Sequence, residues 1–254
     1  MFPLRDDNPT EIFPIFTLAI IAACVAVWVF IQGAGFDQRV LADSVCALGA
    51  IPAEVTGTVG VGSVEMLPGV ECGLGGITWA GLVTSMFLHG SWMHLIGNMW
   101  FLWIFGNNIE DSMGRLRFLV FYLLTGLVAA LAHVLSEPNS PVPVVGASGA
   151  ISAIMGAYLV LYPRARVMTL LVIVIFIRIV PLPAWVMLGY WFLIQLLSAG
   201  ATSAGGGGVA FWAHIGGFVA GLALIFFFRN PKLVRAKRAH VKLSRREIDH
   251  RGWW

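Results

Sequence analysis

Apolar runs long enough to approach a bilayer's thickness recur along this chain, and little else restricts its fold so strongly. The first runs from Ile15 to Ile31, close to the ~20 residues that a helix needs to cross a hydrocarbon core. Others run from Trp92 to Phe105, Phe118 to Leu135, Ser148 to Tyr162, Trp185 to Leu197 and Phe211 to Phe228. Backbone surrounded by lipid must satisfy its own hydrogen bonds, so such runs fold as helices packed on one another. Composition agrees: 58% of the 254 residues are hydrophobic and 11% are charged, against about 25% charged in soluble domains. The expected architecture is an all-α membrane protein, a bundle of six transmembrane helices over residues 15–228. A segment 1–14 precedes the bundle and a basic tail, 229–254, follows it. Met1 to Thr10 is short and carries both signs of charge, so no cleavable signal peptide is expected.

Between the first two runs, residues 33–88 are Gly-rich and contain no spanning run, which predicts a long external loop. Cys46 and Cys72 share that loop, and both a disulfide formed in an oxidising compartment and a pair of free thiols stay open. Cys24, inside the first run, reads as a packing residue. Val167 to Val180 is apolar but carries Arg178 and is bounded by Pro163, Pro181 and Pro183, which predicts an interfacial or re-entrant segment. Six spans put both termini on one side, and of the sixteen Lys and Arg residues only Arg39 falls on the other. The positive-inside rule then makes both termini cytoplasmic. The basic tail is explained by topology and by attraction to anionic lipid, so the expected partner is the bilayer and not nucleic acid.

Polar side chains within spans are costly and therefore mark function. Here they are His94, Asn98, His133, Ser148, Ser152, Gln195 and His214. Spans two, four and six enter from outside, which brings His94, Asn98, Ser148 and His214 to one leaflet. Ser148 sits between glycines in Gly146-Ala147-Ser148-Gly149, where a loop becomes a helix. Ser148 to Tyr162 spans only about 22 Å as a helix, short of a core of about 30 Å. Ser148 therefore lies below the outer surface, approached by the Pro141–Gly146 segment. Non-helical backbone at that depth must be buried in protein or face water, and water is what a hydrolase needs.

Two stripes of small residues complete the pattern: Gly149, Ser152, Ala153 and Gly156 near the serine, and Ala213, Gly217 and Gly221 beside His214. Such stripes let helices approach backbone to backbone, which would bring His214 to Ser148 in the geometry that activates a serine. The competing account is a packing motif with an incidental histidine. His94 and Asn98 are four apart on one helix face. They are suited to donate to an oxyanion beside the Ser148 backbone N–H, or else to act as interhelical glue. His89 lies at the mouth of that span. A zinc site is disfavoured, because His89 and His94 are five apart with no glutamate between them and no cysteine near. No metal or other cofactor is expected.

These residues resemble the rhomboid family of intramembrane serine proteases. The matching pieces are His89-Gly90-Ser91-Trp92-Met93-His94 with Asn98 and Glu110, then Gly146-Ala147-Ser148-Gly149, then Ala213-His214 with Gly217 and Gly221. The resemblance covers roughly residues 79–228 and implies a six-helix core with a Ser148–His214 dyad and no acidic third member. It implies an oxyanion site from His94, Asn98 and the Ser148 backbone, with His89, Gly146, Gly149, Gly217 and Gly221 in support. Its substrates would be membrane-anchored proteins cut in or near their transmembrane segments, and the loop from about Leu41 to Leu88 would lie partly in the outer leaflet. The short N-terminus suits a prokaryotic plasma membrane, with the site opening externally.

Three departures from the family pattern stand out. Trp79 is followed by Ala80 where an arginine is common. Ser152 takes the place of an aromatic that usually stacks on the histidine, so Phe211 or Trp212 is expected to orient His214 instead. The Cys46–Cys72 segment matches no motif. A non-catalytic rhomboid-like escort of membrane clients is the second reading, but the chain keeps both serine and histidine. A transporter predicts matching halves, and none is visible. No pattern specifies an oligomeric state.

Overall fold

The computed structural model describes residues 1–58, 62–67, 70–75, 79–173, 176–201 and 209–238. Strand β1 (Phe2–Asp6) leads to helix α1 (Ile15–Ala26), which continues as a π-helix over Val27–Ile31. Then come α2 (Gln38–Leu48), α3 (Pro52–Val55), β2 (Gly62–Leu67), β3 (Val70–Leu74) and α4 (Gly81–Thr84). Helix α5 (Trp92–Phe101) passes through a π-helical stretch, Leu102–Gly106, into α6 (Asn107–Met113). Helices α7 (Arg115–Ser136) and α8 (Ser148–Leu161) follow, then strands β4 (Arg166–Ile173) and β5 (Phe176–Pro183). The last helices are α9 (Ala184–Ala201), α10 (Phe211–Phe228) and α11 (Pro231–Arg238).

Each of the six apolar runs read as spans is a helix at nearly the expected bounds. By length and composition α7, α9 and α10 can cross a membrane, while α1 with its π-helical extension and α8 are shorter apolar helices. The all-α expectation needs correcting in two places. Within residues 167–180 the described residues form the paired antiparallel strands β4 and β5, and β1 adds to β4 to give a sheet of order β1-β4-β5. Pro163 stops the preceding helix and Val167, Thr169, Val172, Ile177, Ile179 and Val180 are β-branched, which favours strands. Residues 33–88 are also no plain loop. Asp37 caps α2 by accepting from the Arg39 and Val40 N–H groups at 2.8 and 3.4 Å. Hairpin β2–β3 is then tied to α2 by a Cys46–Cys72 disulfide with Cα atoms 5.4 Å apart, which decides the alternative left open above. Of the basic tail, the part beyond Arg238 lies outside the described residues, as does Pro68.

Helix α8 is the axis of the molecule. Every residue from Gly149 to Tyr158 is buried, which accounts for a helix that is apolar or small on all faces. Its closest neighbour is α10. A Cβ on Gly217 or Gly221 would strike the carbonyls of Gly149 or Ala153, and one on Gly156 would strike the Phe218 carbonyl. The two small-residue stripes thus meet backbone to backbone. Trp28, Phe105, Phe118, Phe121, Tyr122 and Tyr158 are fully buried around this pair.

The end of α8 away from Ser148 is closed by polar contacts. Asp6 accepts from the Tyr158 hydroxyl and from Asn108 Nδ2, the latter at 2.9 Å. Lys237 on α11 pairs with Asp111 at 2.8 Å. Asp111 also receives the N–H groups of Glu11 and Ile12, at 3.0 and 3.1 Å. Glu110 receives those of Phe16 and Thr17 at 3.0 and 2.8 Å. Glu110 thereby satisfies donors in the first turn of α1 that no intrahelical partner can reach, a structural role far from the serine, while Asp111 holds the segment leading into that helix.

Candidate active site

Ser148 opens α8 from a loop that is pinned on both sides. Val144 exchanges backbone hydrogen bonds with Ala50 at 2.8 and 3.0 Å, and the Gly146 N–H donates to the Ser85 carbonyl at 2.9 Å. Gly146 adopts φ = 130°, a region essentially reserved for glycine. Among the described residues no side chain caps the start of α8, so N–H groups of its first turn remain available to an acceptor.

His214, one turn into α10, places Nε2 2.8 Å from Ser148 Oγ. The approach of α10 to α8 through Gly217 and Gly221 makes this distance possible. On α5, Ser91 accepts from the His94 N–H at 3.1 Å and so caps the helix on which His94 and Asn98 stand. The Gly90 N–H donates to His94 Nδ1 at 3.3 Å. A ring nitrogen that accepts carries no proton, so the proton of neutral His94 lies on Nε2.

The missing side chain of Gly146 shows where that proton points. A Cβ there would sit 2.8 Å from His94 Nε2 and 3.5 Å from Ser148 Oγ. One small atom at that point would therefore touch both a donor and the serine oxygen. Asn98 is buried and its Nδ2 has no partner among the described residues. His89 is fully buried with its ring 5.2 Å from that of His94.

Beside Ser148 opens a small cavity of about 30 Å³, walled by Met86, Gly126, Ala129, His133 and Gly146 among others. Its walls are mostly small residues, with His133 as a polar contribution.

The partners of His214 differ in part from those expected. Ser152 does not meet the histidine; its hydroxyl donates to the Ser148 carbonyl at 2.6 Å. Trp212 has no ring contact with His214, whereas Phe211 meets it edge-on with centroids 6.5 Å apart. The main neighbours come instead from α9: the Trp191 ring at 5.8 Å and Gln195, whose Oε1 lies 2.7 Å from Nδ1. Gln195 was visible as a polar residue within an apolar run, although no local motif links it to His214. Gln32 was missed altogether. Its amide accepts from the His89 N–H and donates to the His89 carbonyl, both at 2.8 Å, and the only signal was an amide closing the first apolar run.

Comparison with known proteins decides the family. The rhomboid domain family model matches residues 77–231. The chain belongs to the rhomboid family. Rhomboid relatives include a putative rhomboid protease of Bacillus subtilis, 33% identical over 95 residues, which are 37% of this chain and 47% of that protein. The chloroplastic rhomboid-like protein 11 of Arabidopsis thaliana is 42% identical over 73 residues, 29% of this chain and 26% of that protein. The mitochondrial rhomboid protein 1 of Saccharomyces cerevisiae is 26% identical over 182 residues, 68% of this chain and 46% of that protein. The matched segments span less than half the length of each of these rhomboid relatives.

Proposed function

We propose that this rhomboid-family chain is an intramembrane serine endopeptidase acting on membrane-anchored proteins in or near their transmembrane segments. The observation that carries the reading is the 2.8 Å contact between Ser148 Oγ and His214 Nε2. It lies beside a cavity and a set of unused hydrogen-bond donors. In this mechanism Ser148 Oγ attacks the scissile carbonyl carbon while His214 Nε2 takes the hydroxyl proton. The oxyanion that develops is met by His94 Nε2–H, Asn98 Nδ2 and the Ser148 backbone N–H, donors already oriented before reaction. His214 then gives its proton to the leaving amine, and water repeats the cycle on the acyl-enzyme with His214 again as base. The cavity lined by Met86, Gly126 and Ala129 has room for no more than a small side chain next to the scissile bond.

The same reading takes the protein as a six-span component of a prokaryotic plasma membrane, with both termini cytoplasmic and Ser148 facing outward. Support comes from the placement of every Lys and Arg except Arg39 on the side of the termini. A non-catalytic escort would have no use for a serine hydrogen-bonded to an imidazole or for a buried amide left without a partner.

The test is cleavage of a single-span reporter in liposomes, with labelling by a serine-reactive phosphonate. Ser148→Ala and His214→Ala are each expected to lower cleavage on the order of 10⁴-fold or more, as for dyad members acting as a unit, while the variants stay inserted and folded. Wild-type cleavage by Ser148→Ala would overturn the assignment.

A further inference from the structure

The two nitrogens of His214 are engaged differently. Nε2 faces Ser148, and Nδ1 faces Oε1 of Gln195 on α9 at 2.7 Å. Gln195 is 7% exposed in a helix with few other buried residues. Its orientation follows from its far end, where Nε2 faces the Trp191 carbonyl at 3.4 Å. A carbonyl only accepts, so that end of the amide is the NH₂ and the oxygen is turned to the imidazole. An oxygen there requires the proton on Nδ1, which leaves the Nε2 lone pair for the Ser148 hydroxyl. That is the tautomer a general base needs. Helix α9 also supplies the Trp191 ring at 5.8 Å from the imidazole, tilted by 40°. On α8, the residue one turn from Ser148 is Ser152, which bonds the Ser148 carbonyl and has no ring to offer the histidine.

We propose that Gln195 is a positioning residue for the reaction, holding His214 in the Nδ1–H tautomer and aimed at Ser148. This rests on the dyad reading above. An amide fixes tautomer and ring orientation as a carboxylate would, but it brings no charge to offset an imidazolium. The titratable groups around His214 are Ser148 on α8, His94 on α5 and His133 on α7, and α9 faces it with neutral Gln195 and Trp191. A carboxylate at position 195 would therefore be the first negative charge against the ring.

The experiment compares wild type, Gln195→Met and Gln195→Glu in detergent, each labelled with ¹⁵N-histidine. Reporter kinetics are followed across pH and the His214 tautomer is read from its nitrogen shifts. Gln195→Met is expected to lower kcat on the order of 10- to 100-fold with KM within about twofold, and to lose the pure Nδ1–H tautomer. Gln195→Glu keeps an acceptor toward Nδ1 but loses the donor to the Trp191 carbonyl, and the acid limb of kcat/KM moves to higher pH because a carboxylate favours the imidazolium. Wild-type kcat with an unchanged tautomer in Gln195→Met overturns the proposal, as does an unmoved acid limb in Gln195→Glu. Should Gln195→Met unfold, the isosteric Gln195→Glu carries the test alone. Failure of the dyad reading has a different signature: His214→Ala still cleaves the reporter, whatever position 195 holds.

Discussion

Two residues of the site show how much rests on what is absent. Gly146 holds φ = 130°, and the Cβ it lacks would lie 2.8 Å from His94 Nε2. Gly146→Ala therefore strains the backbone and fills the point shared by His94 and Ser148. Misplacing reacting groups by about 1 Å costs on the order of 10²-fold in rate, so reporter cleavage should fall by at least that much while the protein still folds. Phosphonate labelling of Gly146→Ala at the wild-type rate would sink this account. Asn98 makes the complementary case. Its buried Nδ2 has no partner among the described residues, and an unpaired buried donor costs about 1–3 kcal/mol. Asn98→Leu, similar in shape, is expected to raise thermal stability while kcat falls on the order of 10²-fold, as the proposed oxyanion role requires. A variant less stable than wild type would mean that Asn98 serves packing instead.

Among the elements, the contact of α8 with α10 decides whether Ser148 and His214 meet. A Cβ on Gly221 would strike the Ala153 carbonyl, which is backbone and cannot swing aside, whereas one on Gly189 of α9 meets nothing within 4 Å. Gly221→Ala should therefore destabilise by about 1–3 kcal/mol through overpacking and lose activity as the helices part. Gly189→Ala should be neutral or gain about 0.5–1 kcal/mol in helix propensity. Equal unfolding temperatures for the two variants would remove the backbone-contact explanation. This contact was legible in the sequence, because Gly149, Gly156, Gly217 and Gly221 recur at helical spacing. So were Ser148, His214, His94 and Asn98, since polar groups in apolar runs have few innocent reasons to be there. The pairing of β4 with β5 was not, because an apolar run such as Val167–Val180 has no distinct period and its strand partner β1 lies some 160 residues away in the chain. The bonds of Gln195 to His214 and of Gln32 to His89 were hidden for the same reason: each joins residues whose proximity depends on tertiary packing.

At the scale of the whole molecule, the proposed active site at one end of α8 is balanced by a polar closure at the other, where β1, α6, α8 and α11 converge. Burial pushes the Asp6 carboxyl up from its ordinary 3.8 to about 6, against the opposing pull of the Tyr158 hydroxyl and the Lys237 charge. Between about pH 4 and 6 the folded chain thus keeps a proton that the unfolded chain has released. Folding stability from this group is then greatest below that window and falls as pH rises through it, because the folded state binds more protons. Lys237 is shifted the other way: burial lowers its pKa, against the opposing pull of Asp111 and Asp6. Asp6→Asn cannot ionise, yet its amide oxygen can still accept from Tyr158 and Asn108. The unfolding temperature of Asp6→Asn relative to wild type should accordingly rise between pH 4 and 6 and level off above that. Because Ser148 lies at the opposite end of α8, phosphonate labelling of the folded variant should match wild type throughout. A temperature difference that stays constant from pH 4 to 7 would show that Asp6 titrates as it does in the unfolded chain, and that the closure is held by Lys237 and Asp111 alone.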